Sequence, residues 1–176
     1  NVGLNPTRGG VLQVLLDMGA DITICNRKED VEPRGDLLVR YSRDRLHGVT
    51  IGGDLIPRLI DELPVLAVAA AFAQGTTVIQ DAAELRVKES DRITVMEEQL
   101  KAAGVEVQAT DDGLIIQGGD VHGGDFYSYG DHRVAMAMAV LSLAAKGEST
   151  LKGSDCISIS YPEFFTHLAK LKGENL

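Results

Sequence analysis

Pro64-Val-Leu-Ala-Val-Ala-Ala-Ala-Phe-Ala73 and Val134-Ala-Met-Ala-Met-Ala-Val-Leu-Ser-Leu-Ala-Ala145 decide the fold, because neither run has a polar face. A helix that is apolar all round must be enclosed by protein. Both runs are too short to span a bilayer. Their alanines leave small surfaces against which another helix or a sheet can approach closely. The expectation is therefore buried helices with sheets packed around them, rather than a sheet flanked by exposed helices. A doubly wound nucleotide-binding sheet fits less well, since no glycine-rich strand-to-helix turn of that kind is present.

The two runs are copies of one another. Val68, Ala69, Ala73, Gly75 and Thr77 fall on Val140, Leu141, Ala145, Gly147 and Ser149 at a constant shift of 72. A strand is expected after each glycine, over 76–80 and 149–152. A second correspondence, at a shift of 85, lays Val11, Leu15, Gly19, Ala20 and Ile22 on Met96, Leu100, Gly104, Val105 and Val107. Each of those copies reads as an amphipathic helix, a glycine stop and an alternating strand. A further strand follows in each, over 36–40 and 113–117, the latter after the turn signal Asp111-Asp112-Gly113. The repeating unit is thus helix, strand, strand, a variable stretch, helix, strand, with a short extra strand expected over 48–51. Asn5-Pro6-Thr7-Arg8 reads as a helix entry, and Ser160-Tyr-Pro162-Glu163 as a capping box before a final helix.

Composition narrows the function classes. At 176 residues the chain suits one large domain or a compact pair. Acids outnumber bases 26 to 17, which argues against a nucleic-acid surface. Cys25 and Cys156 form neither a disulfide framework nor a metal-ligand spacing, so reduced thiols in a cytoplasmic protein are expected. No signal peptide or membrane span is visible. The opening Asn1-Val-Gly-Leu lacks an initiator Met and leads straight into a helix entry, so a piece of something longer is expected.

Charge concentrates at helix entries. Lys88-Glu89-Ser90-Asp91-Arg92 stands before an amphipathic helix running to Gly104, and Tyr129-Gly130-Asp131-His132-Arg133 opens the second apolar run. Ser90 or Asp91 suffices as a cap. Arg92 and Arg133 are harder to explain locally, because a cation in a first turn opposes the helix dipole. Their guanidinium groups extend instead the anion-binding capacity of the free N–H groups there. At the shift of 72, Asp61 in Ile60-Asp61-Glu62-Leu63-Pro64 falls on Arg133. The plain alternatives are a cap for Asp61 and for Asp131, a structural His132, and a solvated loop with weak internal ion pairs for 86–92. Arg27-Lys28-Glu29-Asp30 and Arg43-Asp44-Arg45 read as merely solvated. Gly118 to Gly124 is a loop and no P-loop, because no Gly-Lys-Ser/Thr follows.

Taken together, Asn5-Pro6-Thr7-Arg8, Gly19-Ala20-Asp21-Ile22, Ile60 to Pro64, Leu85 to Arg92, Tyr129 to Arg133 and Tyr161-Pro162-Glu163-Phe164-Phe165 resemble the C-terminal half of the 5-enolpyruvylshikimate-3-phosphate synthase family. The order and spacing of these motifs cover essentially the whole chain. The resemblance implies an α+β fold, an inside-out enolpyruvyl-transferase-like domain built from βαβαββ units with buried helices and outer sheets. Residues 1–176 then form most of one globular domain of a two-domain, monomeric, cytoplasmic enzyme, and the N-terminal domain is a missing partner.

The implied reaction moves the enolpyruvyl group of phosphoenolpyruvate to the 5-hydroxyl of shikimate 3-phosphate and releases phosphate, a step of aromatic amino-acid biosynthesis. By the resemblance, Asp61 and Glu89 are catalytic: Asp61 contacts the shikimate hydroxyls and serves as base, while Glu89 moves the proton of the methyl group. Lys88 binds shikimate 3-phosphate. Arg92 and Arg133 suit phosphoenolpyruvate through forked hydrogen bonds, and His132, by its place beside Arg133 and a helix N-terminus, is expected to contact an anionic substrate. No metal and no cofactor are implied, and neither nucleic acid nor membrane is expected as a partner. Cys156-Ile-Ser-Ile-Ser160 lacks the lysine that some members carry there, and Glu84 stands where some have Asn. Two alternatives remain open: an enzyme like UDP-N-acetylglucosamine enolpyruvyl transferase, and a non-catalytic domain that binds a phosphorylated ligand or a partner protein.

Overall fold

The computed structural model describes residues 1–29 and 31–173. Asp30 of the charged stretch 27–30 and residues 174–176 of the expected domain lie outside the described residues. In chain order, β1 (Val2–Gly3), α1 (Gly10–Asp17), β2 (Asp21–Lys28) and β3 (Arg34–Arg40) come first. They are followed by β4 (Thr50–Ile51), α2 (Leu63–Ala71), β5 (Thr76–Ile79), α3 (Arg92–Ala102), β6 (Glu106–Ala109) and β7 (Leu114–Gln117). The chain closes with β8 (Asp125–Tyr127), α4 (His132–Ala144), β9 (Thr150–Lys152), α5 (Ile157–Ser160) and α6 (Phe164–Leu171).

Among the described residues three sheets carry the repeat, with strand orders β1-β3-β2, β4-β5-β7-β6 and β8-β9. The middle sheet is a complete unit: β4 runs parallel to β5, which pairs antiparallel with β7, which pairs antiparallel with β6. The first sheet repeats its last three positions, with both pairings antiparallel. The third repeats its first two, β8 parallel to β9. Read through β4, α2, β5, α3, β6 and β7, the unit is βαβαββ, an α+β arrangement.

The apolar helices lie inside, as their sequences require. Leu63, Leu66, Ala67, Ala70 and Ala71 of α2 and Val134, Ala135, Ala137, Met138 and Leu141 of α4 are buried, and α2 packs along α4. Ile79, Leu100 and Ile116 close the core from the sheets and from α3. Truncating one of these large side chains to Ala costs about 2–5 kcal/mol in such settings. The paired glycine stops are real: Gly19 and Gly104 have φ +91 and +80, left-handed values that let each helix turn directly into its strand.

Some local expectations differ from the structure. Asn5 does not cap a helix. Its side chain accepts from Thr7 N at 3.0 Å and Thr7 Oγ1 at 2.8 Å, closing a local turn, and α1 starts only at Gly10. The capping box at Ser160 does not form either, because Ser160 already ends α5 and so lacks the extended backbone a cap needs. Glu163 precedes α6 without a side-chain cap bond. β1 and β8 were not anticipated, being two and three residues long. Phe126 in β8 is nevertheless fully buried.

Thr77 on β5 is buried, and its Oγ1 meets no hydrogen-bond partner among the described residues. A buried hydroxyl without a partner costs about 1–3 kcal/mol. Thr77→Val, which keeps the shape and the β-branch, is therefore expected to leave the urea midpoint unchanged or raise it. A clear loss of stability in equilibrium denaturation contradicts that account.

Candidate functional site

Three helix entries meet at one place. Asp61 sits in a tight helical turn, Ile60–Glu62, that feeds α2. Asp91 caps α3 by accepting from Thr94 N at 3.1 Å, which puts Arg92 in its first turn. Asp131 caps α4, accepting from Arg133 N at 2.9 Å and Val134 N at 3.3 Å. The bodies of α2 and α4 are apolar and α3 turns Ile93, Val95, Met96 and Leu100 inward, so packing the helices together brings their charged starts together.

Arg92 and Asp131 form the centre. Arg92 is 1% exposed and Asp131 0%. Arg92 Nε lies 2.8 Å from Asp131 Oδ2, and Nη2 lies 3.3 Å from Oδ1, a forked pair. Ser90 Oγ donates to Asp131 Oδ2 at 3.0 Å, so Ser90 joins this group and leaves the capping of α3 to Asp91. Asp131 thus accepts from two side chains and from two backbone N–H groups at the start of its own helix. Burial alone would raise its pKa. The Arg92 guanidinium, the Val134 N–H and the Ser90 hydroxyl outweigh burial and hold it below the ordinary carboxylate value.

The expected catalytic acids lie above this pair. Glu89 Oε2 takes a 2.6 Å bond from Arg92 Nη2, and Asp61 Oδ1 lies 3.5 Å from Arg92 Nη1. Both acids are partly open to solvent, with side chains 46% and 40% exposed. Arg133 holds Asp61 twice, with Nη2 3.2 Å from Oδ2 and Nη1 3.1 Å from the backbone oxygen. The residues that correspond across the repeat therefore touch. His132 Nδ1 stands 3.9 Å from Glu89 Oε1. Lys88 pairs with Glu84 of the same loop. A cleft of about 190 Å³, lined by Thr7, Arg8 and residues 57–62, opens beside Asp61.

Asp61, Glu89, Arg92, His132 and Arg133 form one connected group, with Lys88 in the adjoining loop. Arg92, expected to face an anionic ligand, has its donors engaged by three carboxylates. Asp131 is the cap the sequence offers, and its second role, as partner of Arg92, is what sequence reading misses. The available signal was the cation in the first turn of α3: a buried guanidinium needs a carboxylate, and the acid opening the neighbouring apolar helix is the natural one.

The family model described as EPSP synthase (3-phosphoshikimate 1-carboxyvinyltransferase) matches residues 1–168. A 3-phosphoshikimate 1-carboxyvinyltransferase from Synechococcus sp. (strain JA-3-3Ab) is 58% identical over 173 residues, covering 97% of this chain and 38% of its own. One from Herpetosiphon aurantiacus is 54% identical, covering 97% of this chain and 40% of its own. This chain thus spans about two-fifths of the length of the curated relatives it matches. Among solved structures, an EPSP synthase from Acinetobacter baumannii superposes with a TM-score of 0.87 at 42% identity, covering 96% of this chain and 40% of that one. An enolpyruvyl transferase from Streptomyces tendae shares the fold, with a TM-score of 0.71 at 21% identity over 94% of this chain and 35% of that one.

Removing the charge of Asp131 while keeping its shape leaves Arg92 buried against Glu89 and Asp61 alone. Asp131→Asn is expected to cost about 3–5 kcal/mol at neutral pH, the range for breaking a buried ion pair from one side. Because the folded pKa of Asp131 is depressed, its contribution is complete above the ordinary carboxylate range. It is lost as pH falls from there through the lower folded value. Urea titrations from pH 7 to pH 2 should show a smaller acid-side loss in Asp131→Asn than in the unsubstituted chain. Equal slopes contradict this.

Proposed function

The chain belongs to the EPSP synthase family, and from that premise we propose that it supplies one wall of a cleft that transfers the enolpyruvyl group of phosphoenolpyruvate to the 5-hydroxyl of shikimate 3-phosphate. Residues 1–176 form most of one domain, and a second domain, absent from this chain, supplies the other wall. The enzyme is monomeric and cytoplasmic. Cys25 and Cys156 are free thiols, and among the described residues no helix is long and apolar enough to cross a membrane.

The observation that carries the reading is the pair of half-exposed carboxylates, Glu89 and Asp61, held around one guanidinium at converging helix starts. The reaction has matching needs. In the addition step the substrate hydroxyl oxygen bonds to C2 of phosphoenolpyruvate and gives its proton to Asp61, while C3 gains a proton from Glu89. In the elimination step the C2–O bond to phosphate breaks, phosphate leaves with the proton held by Asp61, and C3 returns a proton to Glu89. Both substrates are anions, for which Lys88, Arg133 and His132 offer partners. Arg92 stays locked to Asp131 on one edge. A ligand carboxylate that takes its other edge displaces Glu89 and Asp61 from Arg92, releasing Glu89 for proton transfer while Arg133 still orients Asp61.

The test is a chimaera in which residues 1–168 replace the matching segment of the Synechococcus relative, assayed for phosphate release from the two substrates. Glu89→Gln and Asp61→Asn should each lower kcat by about 10²–10⁴-fold, the range for a general acid or base, with an unchanged circular dichroism spectrum. A near-normal rate in either variant refutes that residue's role. Turnover of UDP-N-acetylglucosamine in place of shikimate 3-phosphate overturns the substrate, and binding without turnover favours a non-catalytic domain.

A further inference from the structure

Arg86 lies in the charged run but outside the group around Arg92. Its guanidinium reaches in two directions. Nε donates to the Asp111 backbone oxygen at 2.8 Å and Nη2 to the Thr110 backbone oxygen at 2.5 Å. Nη1 donates to Asp91 Oδ2 at 2.8 Å and approaches Thr94 Oγ1 at 3.4 Å. One side chain therefore joins the turn between β6 and β7 to the residue that caps α3. Between its own backbone and that cap run Val87, Lys88, Glu89 and Ser90.

The turn that anchors Arg86 is itself fixed. Glu97 Oε1 on α3 accepts from Ala109 N at 2.8 Å. Gly113 lies flat against the end of β5, where a Cβ would stand 1.9 Å from the Ile79 oxygen. The same turn holds the start of the charged loop: Asp112 Oδ2 accepts from Asp81 N and the Asp112 backbone oxygen from Ala82 N, both at 2.8 Å. Asp81 is left-handed at φ +61, and its Oδ2 accepts from Gly53 N at 2.9 Å. The segment 81–91 is thus pinned at its entry by Asp112 of the turn, and at its exit by its own Arg86, which ties the Asp91 carboxylate to the same turn.

Within that segment apolar packing does little for the part that bears charge. Leu85 is buried, but Val87 is 79% exposed and Lys88 pairs with Glu84 of the same segment. Glu89 and Ser90 bond onward to Arg92 and Asp131, and the polar clamp fixes the backbone on either side of them. We propose that Arg86 is a positioning residue, which sets Lys88 and Glu89 at the site by tying the Thr110–Gly113 turn to the cap of α3. The inference rests on the roles given above to Lys88 and Glu89. A lysine is a poor replacement, because a single ammonium cannot serve two carbonyls and a carboxylate in the fixed directions of a planar fork.

Two measurements separate this inference from the proposed function. In the chain as it stands, amide hydrogen exchange is followed for unsubstituted protein, Arg86→Lys and Arg86→Met. Both variants should exchange faster by at least about tenfold over residues 82–91, with the β5 and β7 amides unchanged, as local opening requires. Arg86→Lys serves alone if Arg86→Met does not fold, and unchanged exchange in that segment overturns the clamp. In the chimaera, both variants should lose about 100-fold in kcat, the scale of a small misplacement of reacting groups. The KM for shikimate 3-phosphate should rise more than that for phosphoenolpyruvate, and added guanidinium should restore part of the kcat of Arg86→Gly. Normal kcat in Arg86→Met overturns the role in catalysis. An inactive unsubstituted chimaera counts against the proposed function instead, and hydrogen exchange still decides the clamp.

Discussion

The ion pair between Arg92 and Asp131 is the contact on which the arrangement of the site depends. A guanidinium that is 1% exposed cannot be left without a carboxylate, because the desolvation cost of an uncompensated charge exceeds any local benefit. Asp131 meets that need from a different helix, so the pair fixes α3 against α4 at their starts. Its second oxygen also serves the α4 N-terminus, which adds the helix dipole to the same balance. The cation in the first turn of α3, unfavourable where it stands, is thereby compensated from the next repeat.

Burial of the apolar helices explains why the charges gather where they do. α2 and α4 have no polar face to offer solvent, and sheets enclose them. Polar groups are then excluded from the helix bodies and tolerated at the ends, where unpaired N–H groups need acceptors. Three ends meet, so a fold chosen by hydrophobic enclosure delivers Asp61, Glu89, Arg92 and Arg133 to one spot. The half-exposure of Glu89 and Asp61 follows as well: they are the outer layer of a charge cluster whose inner layer is buried.

Much of this was legible in the chain. The two shifts predicted which helices and strands correspond, since hydrophobic period and glycine stops are local signals. Asp61 and Arg133 could be matched across the repeat, and the structure brings them within 3.2 Å. The unread parts depended on long-range partners. Asp131 is legible as a cap, but its bond to Arg92 joins it to a residue 39 positions earlier. Arg86 looked solvated because its partners are carbonyls of a turn 24 and 25 residues ahead. β1 and β8 were missed because strands that short carry no alternation to read. Ser160 misled because a cap sequence specifies a helix start only if the preceding backbone is extended, which α5 prevents.

The repeat also accounts for the opposite charges at corresponding positions. Each unit presents a helix start to the same central region, so identical residues there would place like charges together and repel. Asp61 and Arg133 instead attract, and their contact ties the start of α2 to the start of α4. The apolar parts of the copies can stay alike because they do the same packing. The ends must diverge because they meet. A repeated scaffold whose like positions converge on one place therefore yields an unlike set of acids and cations there.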